Sequence, residues 1–325
     1  MEWLDRRVGS IGAPRAFILR RIWQILPPSG SPLVPPGALG LGPSELQELS
    51  EQHRLADLAR AFPSRGDEPR LREIAWFGSA FGDIVCSAES PERAFVLREA
   101  AVFNLAVALF DTVVDNHPIE QASVIASALA PPALHRRLKD PSGPEAALRC
   151  ADPALHRIVR LFDFVLASAG ARWAGAPEQI ARAWSALTAM YASEMGVCSD
   201  RMPAKTMPVS FIGILGDRER GSAMATLFER FGRLVSLLDD WHDLGSDIQG
   251  CRANSFVLPQ EARGRHALPY AWSALYRLLG AEISHEGIAQ TLCDSLVEVM
   301  RAAEAAGSEP SRKTRALLHH LVAPS

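Results

Sequence analysis

Phe231-Gly-Arg-Leu-Val-Ser-Leu-Leu-Asp239-Asp240-Trp-His-Asp243-Leu-Gly-Ser-Asp247 joins an apolar run to four carboxylates. At 3.6 residues per turn, Asp239, Asp240, Asp243 and Asp247 fall within an arc of about 100° on one helix. Leu237, Leu238, Trp241 and Leu244 set that helix against a core. An acidic stripe is costly there. Like charges four residues apart destabilise a helix by roughly a few tenths of a kcal/mol per pair, and by more when buried. After Arg233 the stretch offers no lysine or arginine to balance them, so cations from outside are the natural compensation.

A second acidic pair lies more than a hundred residues upstream. Ser90-Pro91-Glu92 reads as a helix start, with an N-cap, proline at the first helical position and an acidic residue after it. That helix runs through Phe103-Asn-Leu-Ala-Val-Ala-Leu-Phe110 into Asp111-Thr-Val-Val-Asp115. Asp111 and Asp115 stand four apart and project from one face. The same face continues backwards through Ala108, Asn104 and Ala101, small or polar groups that read as the wall of a cavity. Two carboxylates in an apolar helix repel each other and lose hydration unless a cation compensates them. Magnesium binds through one or two carboxylates plus substrate phosphates, a role this pair can fill. The plainer reading is a pair near a helix end that faces water or an arginine.

Together the two clusters suggest a diphosphate bridged by two or three Mg2+ ions (Mn2+ as a substitute), with ligands from two sides. The diphosphate's remaining charge calls for basic groups. Candidates are Lys205 and Thr206 in the stretch Arg201-Met-Pro-Ala-Lys205-Thr206-Met-Pro208, with Arg201 itself, and Arg252 beyond the acidic helix. A helix opening at about Pro208 would add its N-terminus to such an anion site.

The rest of the chain is consistent with one large all-α bundle. Helical periodicity is read at 44–62, 69–88, 91–115, 120–129, 144–168, 177–198, 208–216, 219–249, 268–280, 284–305 and 309–322. Ser44 and Gln47 suggest a capping box. Residues 1–43 read as an N-terminal helix and a Pro/Gly-rich arm, and 44–325 as the helical domain. A hydrophobic content of 48% over 325 residues supplies a sizeable core. A net charge of −3 argues against a nucleic-acid partner. Five scattered cysteines without CxxC spacing argue against a disulfide framework or a zinc site and suit a cytoplasmic location. No apolar stretch is long enough for a transmembrane helix, and Arg15, Arg20 and Arg21 interrupt any signal-peptide core. Residues 11–26 could form an amphipathic helix, packed on the main body or making peripheral contact with a membrane. Oligomerisation is left open.

These residues resemble the class I isoprenoid synthases, which include prenyl diphosphate, squalene and phytoene synthases and terpene cyclases. Asp239-Asp240-Trp-His-Asp243 resembles the second DDxxD motif of the prenyl diphosphate synthases. Lys205-Thr206 resembles their KT pair, and Asp247 and Arg252 the acidic and basic positions that follow the motif. The stretch from Asp247 to Pro259 is similar to phytoene synthases. Asp239, Asp243 and Asp247 also have the spacing of the terpene-cyclase metal triad, and Asp111 to Asp115 resembles a reduced first aspartate-rich motif.

The resemblance covers roughly residues 90 to 260. It implies a helical bundle with a central cavity and Mg2+-dependent ionisation of an allylic prenyl diphosphate. Asp111, Asp115, Asp239 and Asp243 would be catalytic metal ligands, joined by Asp240 and Asp247. The glycine-lysine-arginine motif of chain-elongating enzymes is not matched by Arg65-Gly-Asp-Glu-Pro-Arg70-Leu-Arg72, nor are paired arginines found after Asp115. That favours a single diphosphate, hence a terpene cyclase acting as a carbon–oxygen lyase. Phe103, Asn104, Ala108, Phe110, Trp184, Tyr191 and Phe211 are the candidate cavity lining, the aromatic faces stabilising carbocations. A prenyltransferase and a non-catalytic helical binding protein are the alternatives.

Overall fold

A computed structural model describes residues 15–26, 39–116, 153–173, 202–216, 221–244, 254–256 and 285–322. Among these the chain forms ten α-helices and no strand. They are α1 (Arg15–Ile25), α2 (Pro43–His53), α3 (Leu55–Ala61), α4 (Glu68–Val85), α5 (Arg93–Asn116), α6 (Pro153–Arg172), α7 (Met202–Gly216), α8 (Gly221–His242), α9 (His285–Ala306) and α10 (Ser308–Leu321). The all-α reading holds. The helices expected at 120–129, 177–198 and 268–280 lie outside the described residues, as does most of the Pro/Gly-rich arm.

Several boundaries differ from the sequence reading for identifiable reasons. α2 begins at Pro43 with Gly42 as its N-cap, and Glu45 reaches back to accept from the Gly42 N–H at 2.8 Å. Ser44 is therefore inside the helix. The single helix expected at 44–62 breaks at Arg54, whose φ of +53° is left-handed and reverses the chain into α3. α7 opens at Met202, six residues before Pro208, with Pro203 in the first turn where a missing N–H costs nothing.

α4 and α5 form the central pair, run antiparallel and approach closely. A Cβ on Gly78 would lie 2.2 Å from the Ala100 carbonyl oxygen and 2.5 Å from Asn104 Cβ, so only glycine fits. The small stripe along α5 thus has a packing cause. Ala101 is fully buried, and Asn104 donates from Nδ2 to the Ile74 carbonyl at 2.7 Å. At Asn104 the stripe meets α4, while Asn104 and Ala108 both stay partly exposed. α7 lies against α4, α5 and α8, and α9 packs between α8 and α1. α1 spends its apolar face on this body: Ile18 and Ile22 are buried, and Phe17 is its one large apolar side chain classed as exposed.

Two buried ionic clusters hold the bundle. Glu99, fully buried in α5, pairs with Arg172 at the end of α6 and accepts from Ser168 Oγ at 2.6 Å. Arg172 also donates to Glu92 at 3.1 Å and to the Leu215 carbonyl at 3.0 Å, joining α5, α6 and α7. Burial raises the Glu99 pKa, against the lowering effect of Arg172. The second cluster centres on Asp83 and Lys313.

Two predictions follow from this packing. Arg172→Ala leaves a charge buried without its partner and should destabilise the fold by about 3–5 kcal/mol, whereas a Glu99→Leu/Arg172→Met double variant should recover most of that loss. Urea denaturation of both variants checks this, and an additive double variant would refute it. His53, edge-on to Phe164, is held neutral by burial with its pKa lowered to about 4. The unfolded chain takes up that proton at about pH 6.5, so stability should fall as pH drops from about 6.5 to about 4. His53→Leu should flatten that dependence in pH-resolved denaturation, and an unchanged slope would refute it.

Candidate functional site

Helix directions determine which site residues meet. Arg65, in the 3-10 turn Pro63–Arg65 just before α4, reaches Asp111 and Thr112 in the C-terminal turns of α5, so α4 begins where α5 ends. α7 runs parallel to α4, since Gly216 at its C-terminus abuts Val85 and Cys86. α8 turns back along α7, with Phe228 against Gly213. The C-terminus of α8 therefore returns to the end where α7 begins and α5 finishes. Asp111 and Asp115, the first turns of α7 with Lys205 and Thr206, and Asp239, Asp240 and Asp243 all belong to this one end of the bundle.

Their surroundings differ. Asp239 and Asp243 are both exposed at the end of α8. The Asp243 N–H donates to the Asp239 carbonyl at 2.9 Å, which keeps the helical turn intact between them and sets both on one side. Asp240 is only 3% exposed; its carboxylate accepts from the Ser255 N–H at 3.0 Å. Asp111 is 46% exposed in its side chain and paired with Arg65, which also donates to Thr112. Thr112 in turn donates to the Ala108 carbonyl at 2.9 Å. An arginine beside Asp111 matches the plainer reading of that pair. For Asp115, Lys205 and Thr206 the backbone alone is described, and Arg201, Asp247, Arg252, Trp184 and Tyr191 lie outside the described residues.

Three of the aromatic residues expected around a cavity lie in the described core. Phe103, Phe110 and Phe211 are at most 1% exposed. Phe103 stacks on Phe211 with ring centres 4.2 Å apart and meets Phe162 edge-on at 6.0 Å. Two concavities among the described residues are lined by other side chains. One lies between Gln47 and Glu68, the other between Arg21 and Val297. No group of three or more metal-ligating side chains is assembled among the described residues.

Two contacts could not be read from the sequence. Arg65 belongs to the unmatched Arg65–Arg72 stretch, and nothing local signals that it reaches 46 positions along the chain to Asp111. Arg70 and Arg72 of the same stretch turn away, toward Glu73 and toward Gln47 and Glu68. Asn254, 2% exposed, holds the end of α8 through its side chain.

No family model, no curated protein and no solved structure matches the chain.

The Arg65–Asp111 pair is half-exposed on both sides, a setting in which ion pairs contribute about 0–1 kcal/mol. Arg65→Ala should therefore shift the unfolding free energy by no more than about 1 kcal/mol. A larger loss in urea denaturation would show that the contact is structural and leave it no spare role.

Proposed function

We propose that the chain is a class I terpene synthase: a Mg2+-dependent enzyme that ionises one allylic prenyl diphosphate and directs cyclisation of the resulting cation. The observation that carries this reading is the exposed pair Asp239 and Asp243, one turn apart at the end of a helix whose preceding turn, Ser236 to Leu238, is buried. Two hydrated carboxylates on one side of a helix offer the hard oxygen donors Mg2+ requires. Asp239 and Asp243 would hold metal from α8, and Asp111 with Asp115 from α5. When bound, Mg2+ supplies charge stabilisation for the departing diphosphate.

The chain's own contribution is orientation and compensation. Arg65 neutralises Asp111 as the structure stands, and a diphosphate arriving at that end gives the guanidinium an alternative, bidentate partner. Lys205 and Thr206, in the first turns of α7, add cationic charge and a hydroxyl at the positive end of a helix dipole. Of the Arg65–Arg72 stretch, Arg65 bonds Asp111 whereas Arg70 and Arg72 are engaged by Glu73 and Gln47, which supports a site for one diphosphate. The central cavity of the isoprenoid-synthase type belongs to this proposal, with its lining drawn from residues other than Phe103, Phe110 and Phe211.

Incubation with Mg2+ and C10, C15 or C20 allylic diphosphates, followed by gas chromatography, should yield hydrocarbon or alcohol from one of them. Asp239→Asn and Asp243→Asn should each lower turnover by about a hundredfold or more, the equivalent of several kcal/mol of lost charge stabilisation. Longer diphosphates formed only with isopentenyl diphosphate would replace cyclisation by prenyl transfer. No consumption of any diphosphate would leave a helical binding protein.

A further inference from the structure

The acidic stripe of α8 divides into two kinds of aspartate. Asp239 and Asp243 face solvent, whereas Asp240 is buried and hydrogen-bonded to a backbone amide fifteen positions further on. Asn254 completes the arrangement. Its Nδ2 donates to the Asp240 carbonyl at 2.6 Å, satisfying one of the acceptors a helix leaves unpaired at its C-terminus. Its Oδ1 accepts from the Phe256 N–H at 3.0 Å, folding Asn254–Phe256 into a tight turn. Leu244 is buried beside this turn-bearing end of α8. Two buried polar side chains, Asn254 and Asp240, thus each bond the backbone of the facing segment, fourteen and fifteen positions away, as buried polar groups must to avoid a desolvation penalty.

We propose that Asp240 and Asn254 are positioning residues: a clasp that returns the chain to the end of α8 and so fixes the rotation of the last turn that presents Asp239 and Asp243. Asp240 is on this account no metal ligand, because its carboxylate is buried and engaged by the Ser255 N–H. The clasp stands on its own geometry. Its effect on metal affinity rests on the preceding assignment of Asp239 and Asp243.

Two measurements on the full chain separate these parts. Amide exchange by mass spectrometry, without metal, reports the clasp: Asn254→Ala should speed exchange of peptides covering 254–256 by about tenfold or more, while Asp239→Asn leaves it unchanged. Titration with Mn2+ followed by electron paramagnetic resonance reports the pair. Asp239→Asn and Asp243→Asn should each weaken Mn2+ binding by more than about tenfold. Asn254→Ala should weaken it by about tenfold through misplacement of the turn. Asp240→Asn keeps the oxygen that accepts from Ser255 and should stay within about threefold of wild type, the mark of a positioning and not a ligating carboxylate. Unchanged exchange in Asn254→Ala overturns the clasp. An Asp240→Asn variant that loses Mn2+ as fully as Asp239→Asn, with normal exchange at 254–256, overturns the positioning role, as does an Asn254→Ala variant of wild-type Mn2+ affinity. A wild-type chain that binds no Mn2+ refutes the metal assignment and the presentation role together, and the clasp then stands or falls by exchange alone.

Discussion

The bundle is organised around Asp83, a carboxylate 1% exposed near the C-terminus of α4. Stripped of water, it is tolerable only if fully paired. It takes Lys313 Nζ at 3.1 Å, Arg93 Nε at 3.0 Å and the Gly40 N–H at 3.1 Å. Lys313 also donates to the carbonyls of Asp83 and Cys86 at 2.8 and 2.9 Å, satisfying acceptors that the end of α4 leaves open. One buried charge therefore joins residues from four parts of the chain: the segment before α2, α4, the start of α5, and α10 some 230 positions away. Burial pushes the neighbouring Cys86 thiol up to about 11, more than Arg172 and Lys313 pull it down, so it behaves as a neutral core group.

With the Glu99–Arg172 cluster, this gives the bundle a polarity. At the end where α4 and α7 finish, acidic residues are buried and matched by arginine and lysine from other helices. At the opposite end, where α5 and α8 finish, Asp111, Asp239 and Asp243 keep substantial contact with solvent. The same residue type has two solutions in one fold, internal pairing and surface presentation. Carboxylates of the first kind hold helices together; those of the second keep contact with solvent, Asp111 beside Arg65. The proposed chemistry is assigned to the second end for that reason.

The fold class was legible because helical periodicity is local: each stretch carries its own apolar face. Helix limits were less so where two signals compete. Pro43 and Glu45 outweigh Ser44 at the start of α2, and Arg54 breaks an otherwise continuous pattern. What faced each helix could not be read at all. The stripe Ala101–Asn104–Ala108 suits a cavity wall and a tight seam equally, and the close approach at Asn104 is set by Gly78 on another helix. The buried ionic clusters were invisible for a related reason, since Glu99 and Arg172 are 73 positions apart and ordinary when each is viewed alone. Of the candidate site, the acidic positions were legible as a pattern. Their counter-charges, which come from distant segments, were not.

Asp240 shows the limit of a helical arc as an argument. An arc of about 100° holds the four aspartates together, yet it is wide enough to reach from solvent to core. On that wheel Asp240 is about 100° from Asp239 but only about 40° from Leu244 and 60° from Leu237, both buried. The carboxylate at the edge of the stripe is thus carried inward by its neighbours, and burial then obliges it to find a donor. The Ser255 N–H meets that demand because the chain returns there, with Asn254 bonded to the Asp240 main-chain carbonyl, so the return of the chain and the split between buried and exposed aspartates have a single physical cause.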